Sequence, residues 1–455
     1  MLERKFTQFL EHFLMEETNK ILLVNGARQI GKSYLIRYVG QKLFSHFVEI
    51  NLKEDKEGDQ VFADVHTTQD LYIRLSNYYS APLGDKRDTL VFLDEIQSYP
   101  HLMTMLKFLN QESRYRFIAS GSQLGVALSE TPSVPLGSVT IEQMYPLDFE
   151  EFLWATGISK EWIENIRDFF IHEKPLDERT HHLLLKRFQY YLLVGGLPEA
   201  INQYLADRNM ARVRQTHRDI HNLYRIDASQ YDKEHKLKIR NIYDLIPSNL
   251  ENKKKRIVYK NIEGKKGKTF SDYADEFEYL TNSGVALEVT AISNPRFPLV
   301  ESEQKRLVKL YLNDVGLLTH LLYGLNVNAV LQDIKSINLG TVYESVIAQE
   351  LSAHGFKLYY YDNKKKGEVD FLIDDQEDLK ALPLEIKSGK DYTEHSALTK
   401  FLETPDYGID RAIVFSNERE IFMKKGVTYL PIYYCMFLQN DHRGESVILP
   451  ELEPI

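Results

Sequence analysis

Eight consecutive residues, Gly26-Ala27-Arg28-Gln29-Ile30-Gly31-Lys32-Ser33, constrain this chain more than any other stretch. The apolar run Ile21-Leu22-Leu23-Val24 precedes them, and Tyr34-Leu35-Ile36-Arg37-Tyr38-Val39 follows with the pattern of a helix. Strand, then G-x-x-x-x-G-K-S, then helix is the setting of a phosphate-binding loop. Gly26 and Gly31 permit backbone angles and a closeness of approach that a side chain would block. The loop amides and the helix N-terminus then present donors and a positive dipole end to phosphates. Lys32 is expected to reach the β- and γ-phosphate oxygens, and the Ser33 hydroxyl to ligate Mg²⁺. The run from Gly26 to Tyr34 is therefore the expected ATP site.

Length and charge bound the rest. The 455 residues suggest about three domains at roughly 150 residues each. With 43% hydrophobic residues the chain has enough apolar material for several cores. The formal net charge of −10 repels a polyanion, so any nucleic-acid contact needs a local basic patch. A single cysteine, Cys435, excludes an internal disulfide framework. No apolar signal core follows the N-terminus, and the longest apolar run, Tyr429 to Leu438, is too short to span a bilayer. A cytoplasmic protein without a membrane partner is expected.

A second chemical signal follows the loop. Phe6 to Leu14 has the spacing of an amphipathic helix, and Phe47 to Leu52 alternates as a strand. The acidic stretch Glu54 to Asp59 is expected as a loop. Phe62 to Tyr79 is expected as a helix that turns Leu71, Ile73 and Leu75 inward. Thr89-Leu90-Val91-Phe92-Leu93 then predicts a buried parallel strand, with Asp94 and Glu95 at its C-terminal end. Open α/β sheets bind ligands at those ends. Asp94 is placed to hold Mg²⁺, and Glu95 to orient the attacking water. The next strand, Tyr115 to Ala119, ends in Ser120-Gly121-Ser122, where either serine can face the γ-phosphate or cap the next segment.

Taken with Ala119-Ser120-Gly121-Ser122, Tyr145-Pro146-Leu147-Asp148-Phe149-Glu150-Glu151-Phe152-Leu153, Gly195-Gly196-Leu197-Pro198-Glu199-Ala200 and Leu310 to Leu318, the pattern resembles prokaryotic AAA+-type ATPases with a long C-terminal region of unknown function. The resemblance implies either that Pro198 lies against the nucleotide base or that Gly196 and Pro198 are only a helix C-cap glycine and a stopping proline, and it is compatible with oligomers. The family often carries a Gly-Arg pair before the Tyr145 segment, where this chain has Gly137-Ser138. An arginine finger from that loop is missing, so slow turnover or an arginine from a partner is implied.

Glu150 to Leu205 has a helical pattern expected of a lid over the nucleotide. Farther on, Asn241 to Ile246 predicts a helix ending before Pro247, Ser271 to Leu280 a second helix, and Val285 to Thr290 a strand. Helices followed by a β-wing suit a winged-helix domain. The basic residues from Lys253 to Lys268 would give a salt-sensitive grip on DNA, or a solvated loop.

The last domain has its own constellation. Gly340 to His354 has the spacing of an amphipathic helix with Glu344 and Glu350 on its polar face. Leu358 to Tyr361, Glu368 to Ile373 and the segment from Pro383 predict strands. Glu385 and Lys387 project from one side of a strand, and Asp370 can join them from its neighbour. Asp370 and Glu385 would share Mg²⁺, with Lys387 orienting water and Glu344 completing the shell. Helix-Glu, Asp, then Glu-x-Lys resembles the P-D-(D/E)-x-K nuclease fold.

The expected architecture is α/β throughout. A P-loop ATPase core spans 1–150, a helical lid 151–210, a winged-helix-like domain 211–330 and a nuclease-like domain 331–455. Two functions compete: an ATPase acting on DNA through the C-terminal domain, and a nucleotide-dependent switch whose C-terminal domain only recognises a partner. A small-molecule kinase is disfavoured, because Glu95 poises a water that kinases exclude.

Overall fold

The computed structural model describes residues 2–16, 18, 20–79, 82–125, 137–230, 236–332, 339–389 and 392–440. Its first sheet is built on β1 (Ile21–Asn25), with β2 (His46–Asn51), β3 (Thr89–Asp94), β4 (Arg116–Gly121) and β5 (Val139–Gln143). The order is β2-β3-β4-β1-β5, every pairing parallel, so β4 separates the strand before the glycine loop from the strand ending in Asp94. Helices cover both faces, which is why β1 and β3 are buried throughout and carry continuous apolar runs rather than alternating. Leu22, Val24, Leu90, Phe92 and Ile118 enter one core. Their neighbours Leu23, Val91, Leu93 and Ala119 enter the other, under helices Thr68–Tyr78 and Pro100–Glu112. Each such large side chain gains about 1.5–3 kcal/mol on burial.

Helices dominate the middle of the chain: Phe149–Ala155, Lys160–Ile171, Glu178–Val194, Pro198–Asp207, Met210–Gln230 and Lys236–Leu250. The first begins in a reciprocal cap. The Asp148 carboxylate accepts from the Glu151 amide at 2.8 Å, and the Glu151 carboxylate from the Asp148 amide at 3.2 Å.

The second sheet contains β6 (Ala286–Ile292), β7 (Glu303–Leu312), β8 (Tyr359–Asn363), β9 (Gly367–Asp375), β10 (Lys380–Lys387), β11 (Ala412–Ser416), β12 (Phe422–Lys424) and β13 (Val427–Pro431). Its order is β12-β13-β11-β10-β9-β8-β6-β7. The β6–β7 hairpin is antiparallel, and β6 joins β8 in parallel through Thr290–Tyr359 and Ala291–Tyr360. One sheet therefore crosses the boundary expected near residue 330. A single apolar core also runs from β1 through the helices to Phe371, Leu384 and Phe415 of the second sheet. No described helix is long and apolar enough to cross a membrane.

Several local expectations differ from the structure. The helix expected over Phe62 to Tyr79 begins only at Thr68, where the Thr67 hydroxyl accepts the Asp70 amide. The acidic stretch expected as a loop begins in a short helix, Leu52–Glu57, because the Asn51 side chain accepts the amides of Lys53 and Glu54 at its start. Ile73 is 51% exposed, while Tyr72 takes the inward position between Leu71 and Leu75. The helix expected to stop before Pro247 continues to Leu250, whose buried side chain, with that of Asn249, secures the last turn. Helix Gly340–Ala353 is not amphipathic. Every residue from Thr341 to Leu351 is buried, since the second sheet and the helical middle enclose it together.

Candidate nucleotide site and C-terminal carboxylate cluster

The glycine loop turns from β1 into helix Lys32–Leu43, with Gly26 at φ 145° and Gly31 at φ 96°. A Cβ on Gly26 would lie 2.4 Å from the Met144 carbonyl oxygen, so this position accepts no side chain. Lys32 Nζ donates to the carbonyls of Gly26 at 2.7 Å and Ala27 at 2.8 Å, which folds the ammonium over the loop. Burial pulls the Lys32 ammonium down to about 8, against the support of Glu95 and Asp94.

The Ser33 hydroxyl donates to Asp94 Oδ2 at 2.7 Å, and the buried Ser120 hydroxyl donates to Asp94 Oδ1. A hydroxyl and a carboxylate in contact form a hard-oxygen set that fits Mg²⁺. One residue on, Glu95 adopts the left-handed region at φ 54°, a conformation that a non-glycine residue takes at a cost. The Gln97 amide donates to Glu95 Oε2, and the Ser122 hydroxyl stands 3.5 Å from it. The two serines therefore part: Ser120 supports the expected metal carboxylate, and Ser122 faces the expected base.

Arg4 braces the loop from behind. It donates to the Ile30 carbonyl at 3.2 Å, to Tyr145 O at 2.7 Å and to Glu151 Oε2 at 3.0 Å. Pro198 packs beside Gly31. Tyr34, placed in the site by sequence, is 55% exposed.

Residues 18–153 match the AAA domain. The AAA domain is a P-loop ATPase module that binds nucleotide, and the loop, Asp94 and Glu95 all fall within it. Residues 185–329 match a domain of unknown function, DUF8612, and residues 339–435 another, DUF4143. No curated protein matches the chain. Among solved structures, the Walker-type ATPase PABY2304 of Pyrococcus abyssi is similar at 16% identity, over 71% of this chain and 96% of that one, with a TM-score of 0.43. The S. cerevisiae Hsp104–ADP complex is similar at 12% identity, over 77% of this chain and 41% of that one, with a TM-score of 0.29.

Contacts from beyond the AAA domain close one side of its loop. Asn25 Nδ2 donates to the Asn282 carbonyl at 3.0 Å, and a Cβ on Gly284 would lie 3.0 Å from the Ala27 amide nitrogen. The motifs at Gly195 and Leu310 also meet. Asp314 Oδ2 accepts the Gly196 amide at 2.6 Å, while Oδ1 caps the next helix through the Leu317 amide at 3.0 Å. Burial lifts the Asp314 carboxyl to about 6. Sequence spacing carried no sign of these pairings, because the partners are far apart along the chain.

In the C-terminal domain, Glu344, Asp370, Glu385 and Lys387 lie in one electrostatic neighbourhood. Each has a protein partner. Lys255 pairs with Glu344 Oε1, the Tyr311 hydroxyl stands 3.4 Å from Glu344 Oε2, and Asp370 accepts the Ile386 amide at 2.9 Å. Lys387 pairs with Glu385 Oε1 at 2.9 Å, which leaves Glu385 Oε2 buried without a hydrogen-bond partner. Burial, then the nearby Asp370 charge, lifts Glu344 to about 7 and Glu385 to about 8. Among the described residues no group of three or more His, Cys, Asp or Glu is arranged to hold a metal ion. Of the pair expected to share Mg²⁺, Asp370 Oδ2 takes the Ile386 amide and Glu385 Oε1 takes Lys387, while Glu385 Oε2 keeps its lone pairs unused.

The basic run is partly consumed in the same way. Lys255 is on Glu344, Arg256 pairs with Asp362 at 2.7 Å and Lys268 with Asp272 at 2.8 Å. Lys253, Lys260 and Lys266 remain exposed, as do Lys254 and Lys265, which stand 3.7 Å from Asp362 and Glu263.

Proposed function

We propose that this chain is a Mg²⁺-dependent ATPase whose nucleotide state is passed to a C-terminal recognition domain. The observation that carries the reading is the 2.7 Å contact of Ser33 with Asp94, with Glu95 adjoining. Lys32 would leave the Gly26 and Ala27 carbonyls for the phosphates. Ser33 and Asp94 would hold Mg²⁺, which supplies charge neutralisation on the phosphates. Glu95, fixed by Gln97, would orient the attacking water, and Ser122 would monitor the terminal phosphate. Pro198, beside Gly31, would flank the base. The continuous core supports transmission, because a helix displaced at the loop has packed neighbours as far as the second sheet.

Lys255 on Glu344 and Lys387 on Glu385 favour recognition over cleavage by the C-terminal domain. A second reading, action on DNA through a nuclease-like site, draws support from the unpartnered Glu385 Oε2 and the exposed lysines between 253 and 266. The discriminating experiment measures ATP turnover with single-stranded, double-stranded and branched DNA. Stimulation selects DNA as the partner, and indifference to all three selects a protein partner. DNA nicking abolished by Asp370→Ala would select the nuclease reading.

A further inference from the structure

Arg28 is the third residue of the glycine loop, and its partner lies outside the AAA domain. Its Nη1 pairs with Asp227 Oδ1 near the C-terminal end of helix Met210–Gln230. Both side chains are largely buried, at 20% and 11% exposure. One turn earlier on that helix, the Tyr224 hydroxyl donates to the Arg28 carbonyl at 2.9 Å. The contact continues round the site. Tyr279 donates its hydroxyl to the Asp227 carbonyl at 3.1 Å and accepts from Gln123 Nε2 at 2.9 Å, and Gln123 directly follows Ser122. One helix end is thus tied both to the loop and to the end of β4 that leads into Ser122.

Arg28 Nε is buried with no hydrogen-bond partner, so the guanidinium has a donor that the protein leaves unused. An unmet buried donor is costly, and a ligand anion relieves it. The Asp227 carboxylate meanwhile lies within electrostatic reach of Lys32 and Glu95. A triphosphate on Lys32 brings several negative charges to this point. They attract Arg28 and repel Asp227 together, so the two anions compete for one guanidinium.

We propose that Arg28 and Asp227 form a latch operated by nucleotide. The triphosphate takes the Arg28 guanidinium, and the released Asp227 frees the end of helix Met210–Gln230 from the loop. Arg28 is then a cation supplied in cis, in a chain that lacks an arginine at Ser138. Asp227 is a positioning residue that holds it in reserve. The latch rests on the reading of Gly26 to Ser33 as a nucleotide site.

The test uses the full chain with Mg²⁺ and ATPγS, reading hydrogen exchange of backbone amides over residues 218–227 beside the affinity for a fluorescent ATP analogue. In the wild type, ATPγS should raise exchange in this segment. Asp227→Asn, isosteric and able to fold, should exchange fast without nucleotide and respond little to it. It should bind the analogue about five-fold more tightly, because the phosphates no longer compete with a carboxylate for Arg28. Arg28→Lys should keep a response that Arg28→Ala loses, which a merely structural contact would not reproduce. Wild-type exchange indifferent to bound nucleotide, or an Asp227→Asn variant indistinguishable from wild type, would overturn the latch alone. Failure of the wild type to bind the analogue would overturn the nucleotide site and the latch with it.

Discussion

Lys255 places its ammonium on the carboxylate of Glu344, joining the loop after helix Lys236–Leu250 to the buried helix Gly340–Ala353. Both side chains are largely withdrawn from water, at 17% and 6% exposure, and Lys255 reaches its partner from a left-handed backbone at φ 52°. Removing one member of such a pair strands the other charge. Lys255→Met should lower unfolding free energy by about 3 kcal/mol, and adding Glu344→Gln should recover most of the loss. The comparison is a set of urea denaturation midpoints at constant m-value.

That prediction has a pH signature. Burial already holds the folded Glu344 carboxyl near 7, above its unfolded value of 4.5. A group raised on folding gives stability that is complete below the unfolded value and disappears as pH rises through the folded one. In Lys255→Met the stabilising coulombic partner is gone, so the loss should be smaller at pH 5 than at pH 8. Equal losses at both pH values would show that Glu344 does not carry the effect.

Arg4 ties the N-terminal helix to the glycine loop through the Ile30 carbonyl and to Glu151 through an ion pair. Arg4→Ala should loosen the loop and weaken ATP affinity about five-fold, the worth of about 1 kcal/mol. It should also destabilise the fold by about 3 kcal/mol, because Glu151 is left buried and unpaired. Isothermal titration and chemical denaturation separate the two effects. Unchanged affinity would mean that the loop holds its shape without the brace.

Lys32 sets the pH range of nucleotide binding. Its ammonium is held near 8 by burial, and phosphate binds the protonated form. Affinity for ATP should be level below about pH 7.5 and fall above pH 8, approaching tenfold per pH unit. A flat profile from pH 7 to 10 would place the Lys32 value higher than its burial indicates.

Asp314 accepts amides from two segments, Gly196 and Leu317. Asp314→Ala removes a helix cap and leaves buried donors unmet, for an expected loss of about 2–3 kcal/mol. Asp314→Asn keeps an acceptor oxygen and removes a charge that burial disfavours, so it should lose less. Thermal or urea unfolding of the two variants ranks them.

The glycine loop and the strand ending at Asp94 were legible because each needs only local sequence: an apolar run, glycines at fixed spacing, carboxylates at a strand end. The strands around Asp370 and Glu385 were legible for the same reason. Helix Gly340–Ala353 reads as half-solvated in the sequence because Glu344 and Glu350 look like a polar face, whereas the fold buries it. Nothing near them in the chain announces Lys255 or the Phe149 amide as partners. Pairings such as Arg28 with Asp227 and Gly196 with Asp314 join residues 199 and 118 positions apart. They follow from tertiary packing and leave no periodic trace. Ser120 and Ser122 were indistinguishable by type, and their separation into neighbours of Asp94 and Glu95 needed the register of β4 beside β3.

ATP hydrolysis by this chain is decided by the steady-state rate of phosphate release from ATP by Glu95→Gln, relative to wild type, at saturating ATP and Mg²⁺. Glutamine keeps the shape of Glu95 and loses the carboxylate that would orient water. The rate is expected to fall by about 10²–10⁴-fold, the usual contribution of a positioned general base, with ATP binding retained. A variant that turns over ATP as fast as wild type would contradict the account.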